Sequence, residues 1–163
     1  MKFKIFAIVF LIVGAVSLAL FSNSNVAPNS RFILLDGSSK TLSDLRGKVV
    51  LVNFWATSCT SCVAEMPDLI KTFETYRLQG FHTVAVAMQY DPPSYVANFA
   101  NSRKLPFDVA IDNTGIIAND WGKVQLTPTT FLVDKHGKIV KKYVGTPNFN
   151  ELNALVQKLL HQN

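Results

Sequence analysis

Soft metal-binding side chains are scarce in this chain: two cysteines and three histidines among 163 residues. The cysteines stand three apart, as Cys59 and Cys62. A bridge between them closes too short a loop to restrict the unfolded chain much, which excludes a stapling framework as their purpose. About 140 residues after an apolar start suffice for one core without staples. A zinc site needs four ligands, and one Cys pair beside the unclustered His82, His136 and His161 does not supply them in sequence. Charge is sparse too, at 17% of residues against 48% hydrophobic, and this balance excludes a disordered chain. The formal charge is +5, but Lys2 and Lys4 precede the apolar start, and 14 basic residues face 11 acidic ones beyond it. Those basic residues are scattered; Lys141 and Lys142 read as a solvated face. No basic stripe with interleaved aromatics exists, so nucleic acid is not an expected partner. Neither an internal repeat nor a second domain is visible.

Two lysines open the chain, and residues 5–21 then run without charge, rich in Ile, Val, Leu and Phe. That length is at the lower edge of a membrane span and long for a cleaved signal. The expectation is an anchor or signal sequence over 1–21, a flexible tether over 22–30 (SNSNVAPNS) and one domain over 31–163. Lysines ahead of the run keep the N-terminus in the cytoplasm and place the domain outside, on the membrane by a single-pass anchor. The alternative is a cleaved signal, with Ser22 and Ser24 near the cut, and a soluble periplasmic domain.

Within the domain, 31–35 reads as a short strand before an Asp36-Gly37 turn, and 41–48 as a connector. The apolar, β-branched run Val49–Trp55 reads as a buried central strand. A helix is expected over 59–79, with Gly80 as its C′ residue, Pro67 kinking it, and Val63, Met66, Ile70 and Phe73 as its core stripe. Strands follow over 81–88 and 107–111, helices over 92–103 and 114–121. Strands over Thr129–Val133 and 138–144 flank a hairpin turn, and an amphipathic helix over 148–161 closes the chain, with Leu152, Leu155, Val156, Leu159 and Leu160 on one face. The fold class is α/β: a central mixed sheet flanked by helices, parallel strands first and an antiparallel edge last.

The segment Trp55-Ala-Thr-Ser-Cys59-Thr-Ser-Cys62 joins the end of that central strand to the start of a helix. Disulfide exchange requires a thiolate. A cysteine at a helix N-terminus meets unpaired N–H groups and the positive end of the dipole, so its thiolate is favoured. Cys59 is therefore the attacking residue. Cys62, one turn further in, is the resolving one. No other cofactor is expected; the redox group is the Cys59–Cys62 disulfide itself.

These residues resemble the thioredoxin superfamily, and most closely its TlpA/ResA/CcmG-like extracytoplasmic reductases. The matching positions are Asn53-Phe-Trp-Ala56, the Cys-x-x-Cys pair, Glu65 and Pro67, Thr127-Pro128-Thr-Thr-Phe-Leu-Val-Asp134, and the Gly137 hairpin. They run in order over about residues 31–160. The resemblance implies a thioredoxin-like fold with an added β-α segment between Phe81 and Ile111. It implies that Pro128 is cis and faces the cysteines, that Glu65 accepts a proton from Cys62, and that Trp55, Thr127 and Pro128 shape the substrate surface. Asn53 stands where many thioredoxins carry a buried aspartate, so acid–base chemistry is not expected there. Ser61 stands where relatives often have proline; its N–H is expected to point toward the Cys59 sulfur, which leaves the reducing power open.

The function expected from the resemblance is reduction of disulfides in exported proteins, such as apocytochrome c or copper-site cysteines, as in cytochrome c biogenesis. The expected partners are a disulfide-bearing protein substrate, a membrane thiol-electron donor and the membrane itself, with the protein a monomer. Two alternatives stay open: a disulfide-forming oxidase, discriminated by its reduction potential, and a non-enzymatic metal-binding or scaffold domain, discriminated by metal content. A peroxidase fits poorly, because its Pro-x-x-x-Thr-x-x-Cys pattern, aligned on Cys59, meets Val52 and Ala56.

Overall fold

The computed structural model describes residues 25–162. Two short strands, β1 (Arg31–Ile33) and β2 (Ser39–Thr41), form an antiparallel hairpin at the start. The main elements follow as β3 (Val49–Trp55), α1 (Thr60–Tyr76), β4 (Phe81–Ala87), α2 (Pro93–Arg103), β5 (Asp108–Ile111), α3 (Ile116–Asp120), β6 (Thr129–Val133), β7 (Ile139–Val144) and α4 (Phe149–Leu160). The five-stranded sheet has the order β5-β4-β3-β6-β7. β3, β4 and β5 are mutually parallel, while β6 runs antiparallel to β3 and β7 to β6. This is the mixed α/β sheet expected from the alternation of strand and helix patterns.

Every residue of β3 is buried, because helices or loops cover both faces of the sheet. Strand alternation divides the core in two. Val49, Leu51 and Trp55 join Cys62, Met66, Leu69 and Phe73 of α1 and Leu152, Val156 and Leu159 of α4. Val50, Val52 and Phe54 join Phe32, Trp121 and Phe131 on the other face, where the aromatic rings meet edge to face. Asn53 has the parity of Val49, Leu51 and Trp55, and so belongs to the α1 side.

Four expectations need correction. The connector over 41–48 hides structure: β2 precedes it and a 3₁₀ turn occupies Leu42–Leu45, with Leu42 and Leu45 buried. The buried stripe of α1 passes through Cys62, Met66, Leu69 and Phe73, whereas Val63 and Ile70 are only half-buried at its flank. The helix ends at Tyr76, and a 3₁₀ turn carries the chain to Gly80, whose φ of 96° is the left-handed conformation glycine adopts without strain. Finally, the tether expected over 22–30 is fastened from Asn25 onward. Val26 bridges to Lys138, the Ala27 N–H donates to Gly137 O, and the Ile139 N–H donates to Asn25 O. Ala27 is buried, and Ser30 accepts a hydrogen bond from the Trp121 indole.

The anchor or signal sequence expected over 1–21 lies outside the described residues. No helix among the described residues is long and apolar enough to cross a membrane.

His82 is not the isolated histidine that the sequence suggests. Its Nε2 donates to Asp108 Oδ2 at 2.7 Å, and Lys40 of β2 ion-pairs with the same oxygen. Burial pushes the Asp108 carboxyl up, but the His82 and Lys40 hydrogen bonds outweigh it and hold the group below the usual carboxylate range. A depressed carboxylate stabilises the fold above its unfolded-state value, and that contribution is lost as pH falls through the folded one. Asp108→Asn is therefore expected to destabilise the domain by about 1–3 kcal/mol at pH 7, with the difference shrinking below pH 4. Urea denaturation at both pH values measures it; a deficit that grows in acid would contradict the assignment.

Candidate active site

The end of β3 delivers the chain to the start of α1 through a short loop. The Cys59 N–H donates to Ala56 O at 3.1 Å, and Cys59 is the N-cap of α1 in an extended conformation (φ −90°, ψ 104°). Its sulfur takes the place of a capping oxygen, accepting the Cys62 N–H at 3.2 Å. The Ser61 hydroxyl lies 3.5 Å from the same sulfur. The backbone donor is thus Cys62, and Ser61 contributes its side chain instead of the N–H expected from sequence. Donors converging on the sulfur favour its anionic form.

Cys59 and Cys62 are joined by a disulfide, with Cα atoms 5.2 Å apart. Cys59 is half-buried and Cys62 is fully buried in the core on the α1 side. The outer sulfur is thus the one a second molecule can reach.

Glu65 follows Cys62 by one turn on the same inward face of α1. It is a buried side chain, 2% exposed, not a solvated helix glutamate. Burial pushes its carboxyl up to about 7; the Asn53 amide and the Thr146 hydroxyl, which favour the charged form, offset only part of this, and Asp68 adds to the rise. Asn53 Nδ2 donates to Glu65 Oε1 and to Thr130 Oγ1, both at 2.9 Å. Glu65 Oε2 has no well-aligned partner within the protein. A titratable group poised near neutrality and one turn from a buried thiol suits proton exchange with that thiol. Asn53 does no acid–base chemistry itself, but it holds the carboxyl that can, a role the sequence reading missed.

The Thr127–Pro128 peptide is cis. In the sheet register Phe54 pairs with Thr129, so Pro128 falls beside Trp55, at the end of the sheet where the cysteines lie. Pro128 is buried and Thr127 half-buried. The Pro128 carbonyl accepts the Gly145 N–H at 2.8 Å, and the Thr129 hydroxyl donates to Leu126 O at 2.7 Å, which closes the loop around the proline. Trp55 is corrected from surface to core: it is fully buried, with its ring 5.1 Å from that of Phe99. It supports the site by packing. Among the described residues no group of three or more His, Cys, Asp or Glu could hold a metal ion.

Comparison with known proteins agrees with this geometry. The sequence profile of the Redoxin family matches residues 22–156. The thiol-disulfide oxidoreductase ResA of Bacillus anthracis is 36% identical over 133 residues, covering 82% of this chain and 76% of ResA. ResA of Geobacillus thermodenitrificans is 34% identical over 162 residues, 93% of this chain and 92% of the relative. Among solved structures, a thiol:disulfide interchange protein of the thioredoxin family from Chlorobium tepidum superposes with a TM-score of 0.76 at 26% identity, covering 83% of this chain and 96% of its own. StoA from Bacillus subtilis shares the fold, with a TM-score of 0.67 at 20% identity over 78% of this chain and 97% of StoA. The chain thus has a thioredoxin-like fold and belongs to the Redoxin family, as a ResA-like thiol–disulfide oxidoreductase with the cysteine pair Cys59–Cys62.

Proposed function

We propose that the protein reduces disulfides in exported proteins, working outside the cytoplasm on a membrane anchor formed by residues 1–21. The observation that supports this reading best is the asymmetry of the pair: a reachable Cys59 under converging donors, and a buried Cys62 beside a carboxyl poised near pH 7. In the dithiol form the Cys59 thiolate attacks one sulfur of the target disulfide. A Cys59–target bond forms, the target S–S bond breaks, and the other target sulfur leaves as a thiolate. Cys62 gives its proton to Glu65 and attacks Cys59 Sγ. The mixed disulfide breaks, and the target departs with both thiols while the protein keeps the Cys59–Cys62 bond. Two electrons have passed to the target, and a membrane thiol-electron donor restores the dithiol. Haem-binding cysteines of apocytochrome c and copper-site cysteines are suitable targets, and a monomer suffices for every step.

Removing the resolving thiol tests the reading. Cys62→Ala is expected to accumulate mixed disulfides between Cys59 and exported target proteins in cells, visible as reducible high-mass bands. Targets confined to the cytoplasm would refute the compartment, and the absence of any adduct would refute the attacking role of Cys59.

The Ser61 hydroxyl near the Cys59 sulfur favours a second reading, a disulfide-forming oxidase. Each added donor stabilises the thiolate and so the reduced protein, which makes the disulfide a stronger oxidant. Equilibration of the pair against a glutathione buffer separates the two readings: a pair more oxidising than glutathione supports the oxidase.

A further inference from the structure

Three loops meet at the end of the sheet that carries Cys59, and they are fastened to one another. Cys59 lies four residues past the end of β3, Tyr90 three past the end of the parallel strand β4, and Thr127 two before the start of the antiparallel β6. The Met88 N–H donates to Trp55 O at 3.0 Å. The buried Asp91 carboxylate accepts the Thr57 N–H and the Thr57 hydroxyl, each at 2.6 Å. The Tyr90 hydroxyl lies 3.4 Å from Thr127 Oγ1. The β4–α2 loop thus ties the cysteine loop on one side to the cis-proline loop on the other.

This fastening leaves two large apolar side chains facing outward. Tyr90 is 56% exposed and Leu126 is 65% exposed, one in each of the two loops that the Tyr90–Thr127 contact brings together. Neither is packed into the core, and the two side chains, exposed on adjoining loops at the end of the sheet that carries Cys59, offer apolar surface to a target chain. The occupant follows from the chemistry: disulfide exchange must seat a polypeptide on Cys59 with the residues flanking its cysteine against the neighbouring loops. Tyrosine suits such a seat, since its ring offers apolar area with few rotatable bonds.

We propose that Tyr90 and Leu126 form a specificity clamp for the target chain, selecting an apolar or aromatic residue next to the target cysteine over a charged one. The proposal rests on the disulfide-exchange reading of Cys59 and names the class of substrate it takes. An apolar contact of this size discriminates by roughly tenfold or more.

The test uses the reduced protein and two peptide pairs, each linked by a single disulfide and alike except for Phe or Asp beside the cysteine. Second-order rates of exchange are followed by mass spectrometry, with hydroxyethyl disulfide as a small reference substrate. The native protein is expected to exchange with the Phe peptide roughly tenfold faster than with the Asp peptide. In a Tyr90→Ser/Leu126→Ser double variant that ratio is expected to fall close to one. Leu78→Ser, which removes a still more exposed leucine beyond the far end of α1, should leave the ratio unchanged. A native ratio near one, or a double variant that retains the native ratio, overturns the clamp. If the native protein does not exchange even with hydroxyethyl disulfide, the exchange reading fails first and the clamp with it.

Discussion

Replacing Cys59 by serine is expected to abolish disulfide exchange, lowering the rate by several orders of magnitude, because Cys59 carries the only sulfur of the pair that another molecule can reach. Replacing Cys62 is expected to act differently: the first step persists and the adduct remains. The two thiols should also differ chemically in the reduced, folded protein. In the disulfide form the Cys62 N–H and the Ser61 hydroxyl face Cys59 Sγ, and the same donors are expected to serve its thiolate, while Cys62 is enclosed by Trp55, Met66 and other core side chains. Iodoacetamide at neutral pH is therefore expected to modify Cys59 first and Cys62 only upon unfolding. Alkylation of the two single-cysteine variants, read by intact mass, checks this. Faster labelling of Cys62 would reverse the roles of the two residues.

Glu65→Gln is expected to separate catalysis from stability. Burial raises the carboxyl to about 7, well above its ordinary 4.5. For an acid raised in the folded state, the unfolded chain releases its proton first. The carboxyl's favourable contribution is then complete below about pH 4.5 and is lost as pH climbs through about 7. The full swing corresponds to about 3 kcal/mol against the native fold in alkali. Glutamine can still accept from Asn53 and carries no charge to desolvate. The disulfide form of Glu65→Gln should thus match the native protein at pH 4 and exceed it by about 3 kcal/mol at pH 8 in guanidinium denaturation. Exchange should move the opposite way, slowing by about 100-fold with loss of the inflection near pH 7. A variant that is both less stable at pH 8 and equally fast would return Glu65 to a purely structural role.

How much of this was legible beforehand depended on whether the information was local. The run Val49–Trp55 has no polar residue except Asn53, so its bounds could be read directly, and the match with β3 is residue for residue. β2 was illegible because Ser39–Thr41 holds three polar residues with no period; it exists through pairing with β1 and through Lys40's ion pair. The cysteine pair and its helix start were legible from spacing. The partnership of Asn53 and Glu65 was not, since it joins residues 12 apart on a strand and a helix. The alternation Val49, Leu51, Asn53, Trp55 was the one available signal, for it places Asn53 on the helix side. Trp55 was misread because it ends a strand buried on both faces, so its ring packs into the core against Phe99 instead of facing a target. Tyr90 and Leu126 lie in loops without period, where exposure and neighbours arise only from the assembled fold.

The stitching of residues 25–27 to the β6–β7 hairpin also sets a direction. β6 begins beside the redox loop and ends at Val133, where the hairpin turns. Five residues of strand span on the order of 16 Å, so Asn25 leaves the domain at the pole opposite Cys59. If residues 1–21 hold the protein to a membrane as proposed, the point of attachment lies at the back of the domain, and the reactive end is the one furthest from it. Approach to Cys59 would then not require a target to pass between the domain and that membrane.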